Sequence, residues 1–126
     1  MALIKKAEHI GIMVNDLERS LPFYRDILGL QVREVRKRDN GPDLAFITVG
    51  RVEIELIAGS ANPYHNGDGI VNHFAFRVDD LDAALAHLRA HDVEIISPQP
   101  IAVDEHMRVA FFRGPDGEKL EFVEMS

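Results

Sequence analysis

Two histidines and two glutamates of this 126-residue chain recur at matching positions and could together bind a metal ion. His9 and His73 are 64 positions apart, and Glu55 and Glu121 are 66 positions apart. Nitrogen and oxygen ligands without sulfur suit a divalent ion such as Zn, Ni, Co, Mn or Fe(II). Because both residue types occur twice at equivalent positions, we predict that His9, Glu55, His73 and Glu121 are metal ligands.

The sequence around these four residues is an internal repeat. Residues 9–17, HIGIMVNDL, resemble residues 73–81, HFAFRVDDL, and residues 52–57, VEIELI, resemble residues 118–123, EKLEFV. Two copies of one unit therefore fill nearly the whole chain.

The repeat and the chain length predict a single domain, residues 1–126, made of two modules. We place the modules at residues 1–58 and 70–126, joined by a short linker at 59–69 that is rich in Gly, Asn and Pro. A four-stranded sheet with one helix buries only one face well, so two copies side by side form the natural unit.

Each module starts with an alternating strand pattern and then turns helical. In the first module Asn15 or Asp16 is the expected N-cap, and Pro22 predicts a kink or a helix whose regular part starts late. Asp79 or Asp80 is the expected N-cap of the second helix. The predicted fold class is α+β, with two β-α-β-β-β modules. The strands that follow the helices are expected at about 30–36, 44–49 and 51–57, and at about 93–97, 108–113 and 118–124.

Side chains alternate across a strand, so the facing of each candidate ligand follows from its position. In residues 9–14 the apolar side chains share one face, which leaves His9 on the other face. The same alternation in the other three strands places Glu55, His73 and Glu121 on the face away from the helices.

The composition excludes several classes of function. The chain has 14 Lys and Arg against 21 Asp and Glu, a net charge of −7, which disfavours nucleic acid as a partner. It has no cysteine, so disulfides, thiolate metal sites and cysteine nucleophiles are excluded. No apolar run is long enough to cross a bilayer or to act as a secretion signal, and we expect a cytoplasmic protein with no membrane partner.

Four motifs carry a family resemblance: HxGIxVxDLxxSxxFYRDxLGL from His9, VEIEL around Glu55, HxAFxVxD from His73, and DGxxLE ending at Glu121. Together they resemble the vicinal-oxygen-chelate superfamily, which includes glyoxalase I, methylmalonyl-CoA epimerase, extradiol dioxygenases and antibiotic-resistance proteins. The resemblance runs from about residue 4 to residue 125. It implies a glyoxalase-like fold, in which paired β-α-β-β-β modules form a curved mixed sheet around a metal cleft. It also implies a homodimer that binds a small-molecule substrate.

Within that superfamily, the four candidate ligands resemble those of a metal-dependent lyase or isomerase of the glyoxalase I (lactoylglutathione lyase) type. Such an enzyme removes a proton beside a carbonyl of a hemithioacetal or 2-oxo substrate, and the metal holds the enediolate that results. By this resemblance Glu121 is the first choice for the catalytic base and Glu55 the second, while His9 and His73 remain ligands. The thiol cosubstrate would be glutathione or another thiol.

Departures from glyoxalase I leave two alternatives open. Bacterial glyoxalase I carries an Arg and an Asn toward glutathione where this chain has Met13 and Gly59, so that Asn62 or Arg77 would have to substitute. One alternative is an enzyme similar to methylmalonyl-CoA epimerase, for which Glu34 is the nearest candidate for a further catalytic glutamate. The other is a non-catalytic protein that binds a drug or metabolite and gives resistance to it.

Overall fold

The structure, a computed structural model, describes residues 7–59 and 71–126. The chain divides into two compact units, Met1–Pro63 and Tyr64–Ser126. The linker predicted between the modules, except for its first residue, lies outside the described residues.

Each unit has one strand, one helical segment and then three strands, in the order that the repeat predicts. In the first unit, β1 is His9–Val14, α1 is Leu17–Leu21, a π-helical turn follows at Pro22–Ile27, and β2, β3 and β4 are Gln31–Arg36, Leu44–Val49 and Val52–Ala58. In the second unit, β5 is Phe74–Arg77, α2 is Leu81–Ala90, and β6, β7 and β8 are Ile101–Ala102, Met107–Arg113 and Lys119–Met125.

The two units repeat one sheet topology. The strand order is β1-β4-β3-β2 in the first sheet and β5-β8-β7-β6 in the second. In each sheet the first strand of the unit is parallel to the last, and the other neighbours are antiparallel. Two four-stranded mixed sheets with few helices confirm the predicted α+β class. In the first unit the parallel pair places β1, which contains His9, beside β4, which contains Glu55. In the second unit it places β5, which His73 directly precedes, beside β8, which contains Glu121.

Burial alternates along β1 and β4 as the sequence pattern predicts. In β1, Val14 is fully buried, whereas His9, Gly11 and Met13 are exposed. In β4, Ile54 is fully buried and its neighbours in the strand are only partly covered. In the first sheet one face therefore belongs to the core and the other is more exposed. In β8 of the second sheet, by contrast, Leu120, Glu121 and Phe122 are all buried.

The first helix departs from the sequence expectation at Pro22. Asp16 is the N-cap, and its carboxylate accepts a hydrogen bond from the Arg19 amide at 2.8 Å. α1 is regular for five residues, and after the proline the chain winds as a π-helical turn, in which the Leu28 amide donates to the Phe23 carbonyl at 3.0 Å. The regular part therefore comes before the proline rather than after it, because Pro22 has no amide proton with which to continue the α-helical pattern.

The second helix follows its prediction closely. Asp80 is the N-cap, and its carboxylate accepts a hydrogen bond from the Ala83 amide at 3.0 Å. Leu81, Leu85 and Leu88 recur at helical spacing and are buried. No helix in the described part of the chain is long and apolar enough to cross a membrane.

The strand predicted at about 93–97 is wrong. This segment forms an isolated bridge, and the outer strand of the second sheet is the two-residue Ile101–Ala102. The amides of Ile96 and Ser97 both donate to the Phe111 carbonyl, at 2.9 and 3.2 Å. Two successive amides on one carbonyl break the alternation of a β-ladder, so a regular strand does not form there.

Candidate metal site

In the first unit, His9 and Glu55 lie side by side on the open face of the sheet. β1 and β4 run parallel, and Gly11 lies directly opposite Glu55 in their register. His9 Nε2 is 4.0 Å from Glu55 Oε1, and the two side chains are 43% and 20% exposed. A Cβ atom added at Gly11 would lie 3.4 Å from Ile57 Cδ1 and 4.0 Å from Glu55 Oε1, which are ordinary van der Waals distances.

In the second unit, His73 and Glu121 form the matching pair. His73 directly precedes β5, and Glu121 lies in β8 opposite Ala75. His73 Nε2 is 3.1 Å from Glu121 Oε1, and the two side chains are 35% and 10% exposed. His73 Nδ1 lies 2.9 Å from Asn72 Oδ1. A hydrogen bond at one ring nitrogen orients the imidazole and leaves the other nitrogen to act as a ligand, a common pattern at metal-binding histidines.

The two pairs have the same composition and lie at corresponding places in their sheets, although their distances differ. In each pair a histidine Nε2 faces a glutamate Oε1, and a small residue, Gly11 or Ala75, lies opposite the glutamate. Imidazole nitrogen and carboxylate oxygen fit a divalent cation. Across residues 7–59 and 71–126, no three His, Asp or Glu side chains are grouped closely enough to hold a metal ion. Each unit by itself thus presents one imidazole and one carboxylate, which are side chains of the kinds that can bind a divalent cation.

Phe111 of β7 borders the pair in the second unit. It lies directly opposite Glu121 in the register of β7 and β8. Its ring meets the His73 ring edge to face, with the ring centroids 5.3 Å apart, and Lys119 Nζ is 5.0 Å from the Phe111 ring centroid. The pair is therefore flanked by the apolar ring of Phe111, and the ammonium group of Lys119 lies close to that ring.

Phe46 of β3 occupies the matching place in the first unit. It lies opposite Glu55 on one side and opposite Glu34 of β2 on the other. The guanidinium carbons of Arg33 and Arg36 are 5.0 and 5.3 Å from the Phe46 ring centroid. In the first unit, two arginines thus contact the aromatic ring beside the pair.

The sequence prediction of the site missed both arginines. The register of β2 against β3 shifts between Val32 and Glu34. Such a bulge changes which side chains share a face, and simple alternation cannot follow it. The only hint in the sequence was that three of the four residues at 33–36 are charged. The alternation of side chains alone predicts an ordinary outer strand there.

Glu34 lies in the same row of side chains as Glu55 but is held by cations. It accepts hydrogen bonds from Arg36 Nε at 2.9 Å and from Arg33 Nη1 at 3.3 Å. The hydrogen bond from Arg36 keeps the pKa of Glu34 below its ordinary value, and it outweighs the opposing effect of desolvation. A carboxylate whose charge is stabilised in this way is a weaker base. Glu34 is therefore poorly suited to the catalytic role that the epimerase alternative requires.

The positions related to glutathione binding present few polar groups. Met13 lies on the same face as His9 and is 38% exposed. Gly59 directly follows β4 with a φ of +84°, and Arg77 is exposed at the end of β5. Asn62 lies outside the described residues. In the first unit, a thioether thus stands where an arginine would favour a carboxylate of glutathione.

Similar proteins include enzymes and proteins without an assigned activity. A model of the Glyoxalase/Bleomycin resistance protein/Dioxygenase superfamily matches residues 6–122. The uncharacterized protein YaeR of Escherichia coli (strain K12) is 39% identical over 96% of this chain and 97% of its own length. The lactoylglutathione lyase of Haemophilus influenzae is 31% identical over 92% of this chain and 90% of its own length. The mitochondrial methylmalonyl-CoA epimerase of Mus musculus is 30% identical over 87% of this chain and 66% of its own length.

Solved structures share the fold over nearly the whole chain. A glyoxalase family protein from Enterococcus faecalis matches with a TM-score of 0.78 and 25% identity, over 98% of this chain and 100% of its own. TnmS3, an antibiotic binding protein from Streptomyces sp. CB03234, matches with a TM-score of 0.78 and 20% identity, over 100% of both chains. These likenesses confirm the glyoxalase-like fold.

Proposed function

This chain belongs to the glyoxalase/bleomycin resistance protein/dioxygenase superfamily, and on that premise we propose that it is a metal-dependent lyase or isomerase of the glyoxalase I type. The observation that carries the proposal is the repeated pair, since each unit presents a histidine Nε2 beside a glutamate Oε1 at equivalent places in its sheet. The proposed substrate is a hemithioacetal or 2-oxo compound, and the cosubstrate is glutathione or another thiol.

We propose His9, Glu55, His73 and Glu121 as the ligands of one divalent cation, which is Ni, Zn, Co, Mn or Fe(II). The nitrogen and oxygen donors of the two pairs suit this group of ions. When bound, such a cation polarises a carbonyl oxygen of the substrate and stabilises the negative charge that develops on it. The contact of His73 Nδ1 with Asn72 keeps the Nε2 atom of that ring available as a ligand.

Glu121 is our proposed catalytic base, with Glu55 as the second choice. The Glu121 side chain is 10% exposed and that of Glu55 is 20% exposed, so Glu121 is better shielded from water that would compete for the proton. Its carboxylate takes the proton from the carbon beside the substrate carbonyl and returns it to the neighbouring carbon. A positioned base typically accelerates such a transfer by about 10² to 10⁴-fold.

The relatives support an enzyme and also supply the rival function. The lyase of Haemophilus influenzae and the epimerase of Mus musculus are both named for reactions, which favours catalysis in this chain. A second candidate is a protein that binds a small molecule without turnover, because TnmS3, described as an antibiotic binding protein, has the same fold. The two candidates differ in whether a metal is needed.

Metal content is the first test. The purified chain is stripped with a chelator, reloaded separately with Ni, Zn, Co, Mn and Fe(II), and analysed for bound metal. It is then assayed with methylglyoxal plus a panel of thiols and, separately, with methylmalonyl-CoA. We expect one ion for each site and turnover of a hemithioacetal. His9→Ala and His73→Ala should each lose the ion, whereas His87→Ala, in an exposed helical histidine, should retain it. A chain that retains none of these ions is not the proposed enzyme.

We also propose that the chain acts in the cytoplasm as a homodimer, and mixed chains test how the ligands are shared. One variant carries His9→Ala with Glu55→Ala, and the other carries His73→Ala with Glu121→Ala. If each site takes one pair from each subunit, refolding the two inactive variants together restores activity in the mixed dimer. If both pairs come from one chain, the mixture stays inactive.

A further inference from the structure

We propose that Arg36, held against Phe46, is an anion-binding subsite that recognises a carboxylate or phosphate group of the ligand. The proposal rests on the proposed function for one point only, which is that the reacting end of the ligand binds near Glu55. The anion site itself is a property of the first sheet.

The subsite and Glu55 belong to one face of the first sheet. Glu55 lies opposite Phe46, and Phe46 lies opposite Glu34. Arg36 is two residues further along β2, opposite Leu44. Residues directly opposite each other in a ladder share a face, so Arg36 and Glu55 project from the same side of the sheet. Two strand spacings across the sheet and two residues along β2 separate Arg36 from Glu55, which puts their backbone positions about 12 Å apart.

Arg36 keeps most of its hydrogen-bond donors free. Its Nε atom donates to Glu34 Oε2 at 2.9 Å, and its side chain is 53% exposed. Within residues 7–59 and 71–126, its two terminal nitrogens have no hydrogen-bond partner. The Phe46 ring and the Glu34 carboxylate together restrain the guanidinium plane. A restrained guanidinium with one edge free matches the paired oxygens of a carboxylate or phosphate.

Arg33 completes the cluster by neutralising the carboxylates around Arg36. Its Nε and Nη2 atoms both donate to the Glu53 carboxylate, the latter at 2.9 Å, and its Nη1 atom donates to Glu34 at 3.3 Å. Arg33 therefore has its donors directed at protein carboxylates. It also reduces the repulsion that Glu34 and Glu53 would exert on an incoming anion, so that the free edge of Arg36 is the place for an external anion.

Anion binding can be measured without turnover. The chain without added metal is titrated with inorganic phosphate and, separately, with acetate, and the NMR signals of the Arg36 Nε–H and the Phe46 amide are followed. We expect saturable shifts, and we expect Arg36→Gln to weaken binding by at least about tenfold. Arg25→Gln should leave binding unchanged, because Arg25 is an equally exposed arginine whose partner is Asp26 in the helical segment. Stronger binding of phosphate favours a phosphate ester as ligand, and stronger binding of acetate favours a carboxylate.

Two further variants separate recognition from a structural role. Arg36→Lys keeps the charge but loses the planar fork, so its affinity should fall between those of the wild-type chain and Arg36→Gln. Glu34→Gln removes a negative charge while leaving an acceptor for Arg36 Nε, so it should bind phosphate more tightly. Equal affinities of the wild-type chain and Arg36→Gln, or weaker binding by Glu34→Gln, would overturn the proposal. Because no metal or turnover is involved, such a failure would leave the proposed enzymatic function untouched.

Discussion

The two units share a histidine–glutamate pair and differ in the strand at the outer edge of the sheet. In the first unit β2 is six residues long and brings Arg33 and Arg36 against Phe46. In the second unit β6 is two residues long, and its exposed residues, Ile101 and Ala102, carry no charge. The strands that carry the pair are thus common to both copies, while the outer strand has become specific to each. The histidine–glutamate pair, which both units have, can therefore be mutated separately from the arginines of β2, which only the first unit has.

The pairs themselves also differ between the units. The histidine and glutamate atoms are 4.0 Å apart in the first unit and 3.1 Å apart in the second, and Glu121 is more shielded than Glu55. The better shielding of Glu121 favours it as the proposed base, which is also the choice that the family resemblance implies. Equivalent sequence positions therefore need not have equal roles.

The largest expected effect is a loss of proton exchange when either glutamate of the two pairs is replaced, and it tests whether both pairs take part in the reaction. Glu121→Gln and Glu55→Gln should each reduce proton exchange of the substrate by about 10² to 10⁴-fold, because each change removes a carboxylate that is proposed to bind the ion or to take the proton. The metal-loaded chain is incubated in D₂O with the hemithioacetal of methylglyoxal, and NMR measures how fast deuterium enters the substrate and product. Glu94→Gln, in an exposed residue of the second unit, should exchange at the wild-type rate. Unchanged exchange in both glutamate variants would remove them from the chemistry.

Truncation of a buried leucine should have the next largest effect and tests whether α2 anchors the second unit. Leu88 is fully buried on the face of α2 that packs into the core, so Leu88→Ala should lower the free energy of unfolding by about 2 to 5 kcal/mol. Urea unfolding followed by circular dichroism gives this value. Val35→Ala, in a side chain that is 43% exposed, should change it by less than about 0.5 kcal/mol. Equal effects would mean that α2 does not anchor the core.

Removing the helix caps sharpens the comparison, since both helices use an aspartate in the same way. Asp16→Ala and Asp80→Ala each remove an acceptor for a backbone amide, and each should cost about 0.5 to 2 kcal/mol of stability. Thermal unfolding measures the loss. Asp16→Asn and Asp80→Asn should stay close to the wild-type chain, because asparagine caps a helix about as well as aspartate. A loss in the asparagine variants as large as in the alanine variants would argue for charge rather than capping.

The smallest expected effect is a pH dependence that belongs to the second unit. The Leu81 amide donates to Glu124 Oε2 at 2.8 Å, and Arg108 donates to Glu124 Oε1, so the pKa of Glu124 lies below its ordinary value. A lowered pKa in the folded state gives a stabilisation that is present at neutral pH and is lost as the pH falls through that lowered pKa. Glu124→Gln should flatten the dependence of urea midpoint on pH in this acid range. A curve as steep as that of the wild-type chain would assign the acid sensitivity to other carboxylates.

The sequence predicted the order of elements because the repeat copies local signals. Asp16 and Asp80 cap their helices as expected, and Gly29 follows the first helical segment with a φ of +76°. The outer strand of the second unit was not predictable, because two amides of the expected strand share the Phe111 carbonyl. That arrangement depends on a distant strand and leaves no trace in the local pattern of residues 93–97.

The candidate site was also predictable only where the strands are regular. The facing of His9 followed from alternation, since β1 is a regular strand. The place of Arg36 did not follow, because the bulge in β2 changes the alternation before that residue is reached. The meeting of all four ligands around one ion depends on how copies of the unit are brought together, and it stays a prediction.

The π-helical turn at Pro22–Ile27 bears on how the length of the chain can change. Its hydrogen bonds span one residue more than those of an α-helix, so that the turn holds a residue that a standard helical winding would not need. A deletion of one residue after Pro22 would let the amides that follow it take α-helical hydrogen bonds, while Pro22 itself would still donate none. The first copy thus contains a place where evolution or engineering can shorten the chain without shifting the strands on either side, whereas the regular α2 of the second copy has no such spare residue.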